Sequence, residues 1–251
     1  MSCPVCGKRP PKRYCPAMGE KICAVCCGRE REVTIDCPLD CSYLIAAHRY
    51  EREHREAEHR KPSTPGRARD EVRDEVREED YPYKDVEFSV EFVYRHWPIV
   101  AGIATAILTF QSQHKDLRDS EIFMATERLA ETYRTLGTGI YYERPPEGLL
   151  PAALYNEIQR FLQEFRKAEA AQTGFSSLQS GFTPLKDSEI FQLLVFLLRM
   201  NKSESNARPR SRAFLEFLRA RFPLRTSQSS GLIGAPGEPT AQPDSPRIII
   251  P

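Results

Sequence analysis

Hydrophobic positions recur at helical spacing through most of the second half of the chain. Between Asp119 and Tyr133 the apolar residues are Ile122, Phe123, Ala125, Leu129 and Tyr133, which fall along one side of a 3.6-residue helix. Leu154, Ile158, Phe161, Leu162 and Phe165 repeat the pattern, and Ile190, Leu193, Leu194, Leu197 and Leu198 carry it once more. The spacing predicts helices near 87–114, 117–136, 150–171, 186–202 and 209–222. Pro98 marks a kink or a start within the first of these, and Gly137-Thr138-Gly139 ends the second. Ile140-Tyr141-Tyr142, ahead of Pro145-Pro146, is expected to run extended over the bundle. Upstream, residues 29–36 alternate and become β-branched, which predicts a short strand. Residues 43–61 predict a charged helix with i,i+4 pairs at Glu51/Arg55 and Glu56/Arg60, packed through Tyr43, Leu44 and Ala47.

Polar stretches divide the chain. Lys61-Pro62-Ser63-Thr64-Pro65-Gly66 ends any helix and reads as a linker. In 67–80 the charges alternate in sign and only Ala68, Val72 and Val76 are apolar, the pattern of a lightly docked helix or a spacer. Residues 223–251 are rich in Ser, Gly and Pro and read as a disordered tail. Its tip, Arg247 to Pro251, is either a short docking peptide or without a role. The expected organisation is mainly α: a cysteine-rich module at 1–48, a charged helix and linker at 49–80, an all-α domain at 81–222, and the tail.

Composition narrows the class only a little. The formal net charge of +1 argues against a globally basic nucleic-acid protein. Residues 97–110 are the most apolar stretch, but about 14 positions fall short of the roughly 20 that a bilayer needs, so a buried helix is expected there.

All eight cysteines lie between residues 3 and 41, spaced Cys3-x2-Cys6-x8-Cys15-x7-Cys23-x2-Cys26-Cys27-x9-Cys37-x3-Cys41. Such segregation means one local task, either a disulfide framework or metal ligation. The first cysteine comes two residues after Met1, with no room for a secretory leader, so a cytoplasmic location is expected. Cys3-Pro4-Val5-Cys6-Gly7 has knuckle spacing, in which two thiolates share an ion and backbone N–H groups turn toward the sulfurs. Eight thiolates match two tetrahedral Cys₄ sites, and the cofactor expected is two Zn²⁺ ions. An iron–sulfur cluster is the alternative that Cys₄ ligation leaves open.

Cys3-x2-Cys6, Lys12-Arg13-Tyr14-Cys15-Pro16, Ile22-Cys23-x3-Cys27 and Cys37-x3-Cys41 together resemble HIT-type zinc fingers, and more broadly the cross-brace fingers that include RING and B-box modules. The resemblance covers about 40 residues. It implies a binding module, usually for protein partners, with structural rather than catalytic zinc. It also implies ligand pairing: Cys3 and Cys6 share one ion with the 23–27 pair, and Cys15 shares the other with Cys37 and Cys41. The family's second pair is Cys-Pro-x-Cys, whereas Met18 here stands where the second cysteine belongs. Either the doubled Cys26-Cys27 or His48 supplies the missing ligand. The expected sets are Cys3, Cys6, Cys23 and Cys26 for one ion and Cys15, Cys27, Cys37 and Cys41 for the other, with 26 and 27 interchangeable.

Catalytic signals are sparse. There is no nucleophile elbow, P-loop or G-x-G-x-x-G, and the cysteine module holds every thiol. His96 and His114 sit five turns apart on one predicted helix and cannot share a site, while Tyr94, His96 and Trp97 read as packing at a helix start. The functional expectation is therefore a zinc-binding adaptor for a protein partner, with no catalytic residues and no membrane. The rival is a nucleic-acid-binding protein using Lys8, Arg9, Lys12 and Arg13 with a basic helix bearing Arg208, Arg210, Arg212, Arg219 and Arg221. An enzyme with an unrecognised site in the helical domain is the third reading.

Overall fold

A computed structural model describes residues 2–59, 81–140, 142–176 and 185–223. The linker at 62–66, the charged run at 67–80 and the tail beyond Pro223 lie outside the described residues. The fold is mainly helical, with a small cysteine-rich module at its N-terminal end.

The module begins with a two-stranded antiparallel ribbon, β1 (Arg13–Cys15) and β2 (Glu20–Ile22), in which Tyr14 faces Lys21. Gly19, at φ 68°, closes the turn between them. A short helix α1 (Ala24–Glu30) follows, then the long α2 (Ser42–His59). Between α1 and α2 the expected strand at 29–36 is absent. Residues 29 and 30 finish α1, and the chain then turns tightly, leaving a single bridge between Arg31 and Ile35. The β-branched residues there are not paired in a ladder. Ile35 instead fills the module's own small core with Ile22 and Leu44, the cysteines around them.

The predicted helix at 87–114 is two helices. α3 (Val90–Arg95) ends at His96, and α4 (Trp97–Gln113) restarts with Pro98 in its first turn, where the missing N–H costs no hydrogen bond. His96 and His114 therefore cap opposite ends of α4. Then come α5 (Asp119–Leu136), α6 (Leu149–Ser176), α7 (Asp187–Glu204) and α8 (Ala213–Arg221). α8 starts later than predicted, at Ala213, because 209–212 is a loop bonded to the cysteine module. Ile140 and Tyr142 do not cover the bundle; both side chains are exposed.

α5 packs most extensively against α7, and α6 lies against both α4 and α5. Ile103, Ile107, Ile122, Leu129, Leu154, Ile158, Leu193 and Leu197 form the centre of the core. α4 approaches α6 closely at Gly102, where an added Cβ would lie 2.1 Å from the Phe161 ring. Leu39, from the cysteine module, joins this helical core. No helix among the described residues is long and apolar enough to cross a membrane.

Candidate metal centre

Cys3, Cys6, Cys23 and Cys26 come together, their sulfurs all within 4.8 Å of one another. Local backbone geometry explains how. Gly7, at φ 65°, lets the chain turn back after Cys6, and its N–H donates to the Cys3 carbonyl at 2.7 Å. Cys23 caps α1, its sulfur accepting the Cys26 N–H at 3.4 Å, and its own N–H donates to the Cys3 sulfur at 3.3 Å. Cys26 and Cys27 are consecutive on α1, so they point about 100° apart. One can serve each side of the helix.

The other four cysteines, Cys15, Cys27, Cys37 and Cys41, line one small cavity together with Ile22, Ile35 and Leu44. Among the described residues only the first set closes to the tight spacing above. Met18 is exposed.

The donor chemistry of the first set suits a soft divalent ion. Metal–sulfur bonds of about 2.3 Å place tetrahedral sulfurs about 3.8 Å apart, and the Cys6 and Cys23 sulfurs are 4.0 Å apart. Thiol acidity is split within the cluster. Burial alone would raise Cys3, but N–H donors from Cys23, Cys6 and Val5 outweigh it and hold the thiol at about 6. Cys26 is pushed up to about 12, first by its hydrogen bond with Cys23 and then by burial. The neighbouring sulfurs disfavour the Cys26 thiolate, and a cation among them removes that conflict.

The second cavity has a different signature. Burial pushes Cys37 up to about 11, and the proximity of Cys41 and Cys15 adds to it. Arg31, buried, also lines the cavity, and its Nε–H has no hydrogen-bond partner among the described residues.

No family model, no curated protein and no solved structure matches the chain. The geometry of the two cysteine sets and their surroundings is therefore the guide to function.

His48 is no part of either set. It lies buried between two carboxylates, Nε2 at 2.9 Å from Glu32 and Nδ1 at 3.4 Å from Glu216. Glu32 is a residue that no sequence pattern marks out. It is fully buried at φ 55° and accepts from the Arg212 N–H at 2.7 Å and from Asn206 Nδ2 at 2.7 Å, besides its contact with His48. Its carbonyl accepts the Arg210 N–H at 2.9 Å. A glutamate from the cysteine module thus organises the loop that leads into α8.

The basic segment at 208–212 answers in kind. Arg208 donates to Glu51 at 3.2 Å, Arg210 to the Thr34 carbonyl at 2.8 Å, and Arg212 to Asp36 at 2.7 Å. These three side chains bond the module, while Arg219 and Arg221 of the predicted basic face are exposed. Asp119, buried at the start of α5, completes the joint by capping α8: it accepts the Phe214 and Leu215 N–H groups at 3.0 and 3.2 Å and the Ser211 hydroxyl at 2.6 Å.

Burial alone would lower His48, but the close carboxylates of Glu216 and Glu32 dominate and lift it from 6.5 to about 9. Burial likewise opposes the carboxylates, yet His48 holds both Glu32 and Glu216 below their ordinary range. A histidine whose folded value lies above its free one stabilises the fold fully below about pH 6.5. That contribution, about 3 kcal/mol at most, fades as the pH climbs to about 9. Urea midpoints of the protein are expected to fall between pH 6.5 and 9, with the fall absent in His48→Gln. A parallel fall in that variant would place the titration elsewhere.

Proposed function

We propose that this chain is a cytoplasmic, non-enzymatic zinc-binding adaptor that presents a cysteine-rich module, clamped on a helical scaffold, to a protein partner. The observation that carries the proposal is the four-sulfur cluster of Cys3, Cys6, Cys23 and Cys26, with all separations within 4.8 Å. Four thiolates fill a tetrahedral shell and leave no position for water or substrate, so Zn²⁺ there supports structure. Cys15, Cys27, Cys37 and Cys41 hold a second Zn²⁺ in this reading, supported by the shared cavity. The resemblance to cross-brace fingers points the same way.

Exposed apolar side chains support the binding role. Val5, Tyr14, Met18 and Val25 are all exposed on the module and offer apolar surface to a partner. Lys8, Arg9, Lys12 and Lys21 are exposed nearby, without an ion pair among the described residues. These basic side chains lie on the knuckle and ribbon.

Elemental analysis of protein purified without chelator is expected to give two zincs per chain. One zinc would remove the second site. Affinity capture with partner identification tests the adaptor role: Tyr14→Ala with Val25→Ser should abolish capture of the wild-type partner at unchanged zinc content. Binding to nucleic acid that weakens steeply with salt would instead favour the rival reading.

A further inference from the structure

We infer that the helical domain is itself part of the second metal site, with Arg212 acting as a positioning residue for the ligand Cys37. The inference rests on the two-site reading above and extends it across the interface.

Arg212 is only 2% exposed, and its guanidinium spends every arm on a named partner. Nη1 donates to the Cys37 carbonyl and to Asp36, both at 2.7 Å. Nε donates to the Leu117 carbonyl at 3.1 Å, and Nη2 to that of Lys115 at 3.2 Å. One planar group therefore ties the ligand-bearing turn at 36–37 to the loop that enters α5. Arg118 adds a second, longer contact to Asp36 at 3.5 Å. The backbone of Arg212 is held too, its N–H on Glu32.

Among the backbone contacts of the second-set cysteines, those at Cys15 and Cys41 are local ones, to Met18 and Gly19 and to Pro38, Leu44 and Ile45. Cys37 differs, because its carbonyl is gripped by a residue 175 positions away. Groups outside the ligand shell that hold a ligand in place typically contribute about 10- to 100-fold in metal affinity. Linkage then runs both ways. A Cys37 fixed by Arg212 holds its ion longer, and an ion on Cys37 holds the 208–216 segment in place.

The test is zinc release from the full chain into excess chromophoric chelator, read as two phases. Cys15→Ser, which keeps only the first site, assigns them. Arg212→Gln is expected to quicken the second-site phase about tenfold and leave the first-site phase unchanged. Leu215→Ala serves as the control for a merely structural role: it loosens the helical core without touching Asp36 or Cys37, so the ratio of the phases should stay at the wild-type value. Equal acceleration of both phases in Arg212→Gln, or none, would overturn the inference. Wild-type protein releasing a single zinc would overturn the two-site reading beneath it. Should Arg212→Gln fail to fold, hydrogen exchange on Cys15→Ser decides. The amides of Phe214 and Leu215 should exchange about tenfold faster than in wild type, and unchanged rates would refute the coupling.

Discussion

Treating the full chain with a strong chelator is expected to unfold residues 2–44 while helices α4 to α7 persist. Apart from its joint with the helical domain, the module has little structure of its own to hold it. Its strands are three residues each and α1 is seven, lengths at which neither ribbon nor helix stands alone in water. Its apolar core apart from cysteines is Ile22, Ile35 and Leu44, with Tyr43 against it. Zinc bound by thiolates in small domains supplies on the order of 10 kcal/mol of folding free energy per site. That equals the whole stability of a typical domain, and the contacts of residues 31–39 with the helical domain offset only part of its loss. The helical core, by contrast, closes over buried residues from all of α4 to α8. Limited proteolysis should therefore cut between residues 2 and 44 within the first minutes and spare a helical fragment, with far-ultraviolet circular dichroism falling only in part. Protease resistance of the module without metal would show that sulfur packing alone suffices, and the metal-dependent reading would fall.

The helices that periodicity predicted, α5 to α7, are those whose apolar residues meet one another at local spacing. Ile122, Ala125 and Leu129 needed no knowledge of a partner to be placed on an inner face. The cluster of Cys3, Cys6, Cys23 and Cys26 was legible in part: the knuckle spacing of Cys3 and Cys6 is local chemistry, whereas their meeting with Cys23 and Cys26 was implied only by the resemblance. The joint between module and bundle was not. Glu32 sits in the run Arg29-Glu30-Arg31-Glu32, which looks like any solvated charge pattern, and its burial depends on residues more than 170 positions later. One signal did exist. Arg208, Arg210 and Arg212 alternate at every second position around Pro209, a spacing that suits an extended segment and not a helix face. A single predicted helix over 209–222 hides that alternation. The β-branched run at 33–35 misleads in the opposite direction: Ile35 is there to be buried, and strand propensity is largely that preference in disguise.

Replacing Glu32 by alanine is expected to cost about 3–5 kcal/mol, the range for breaking a buried ion pair by removing one partner. Removal of the carboxylate strips a buried acceptor from Asn206 Nδ2 and from the Arg212 N–H, and leaves His48 facing Glu216 alone. Each unsatisfied buried group costs about 1–3 kcal/mol, and the charged partner costs most. Glu32→Gln keeps the shape and one acceptor oxygen but loses the charge that helps lift His48 to about 9, so an intermediate loss is expected together with a lower titration midpoint. The backbone gives an internal check, because residue 32 sits at φ 55°, where a side chain costs about 1–2 kcal/mol relative to glycine. Glu32→Gly should therefore be less destabilised than Glu32→Ala although it removes more atoms. Urea unfolding at about pH 6.5 with zinc present, followed by tryptophan fluorescence from Trp97, measures all three. An alanine variant within about 1 kcal/mol of wild type would mean that water replaces the carboxylate at no cost, and that the module is held on the bundle by Leu39 and the arginines alone.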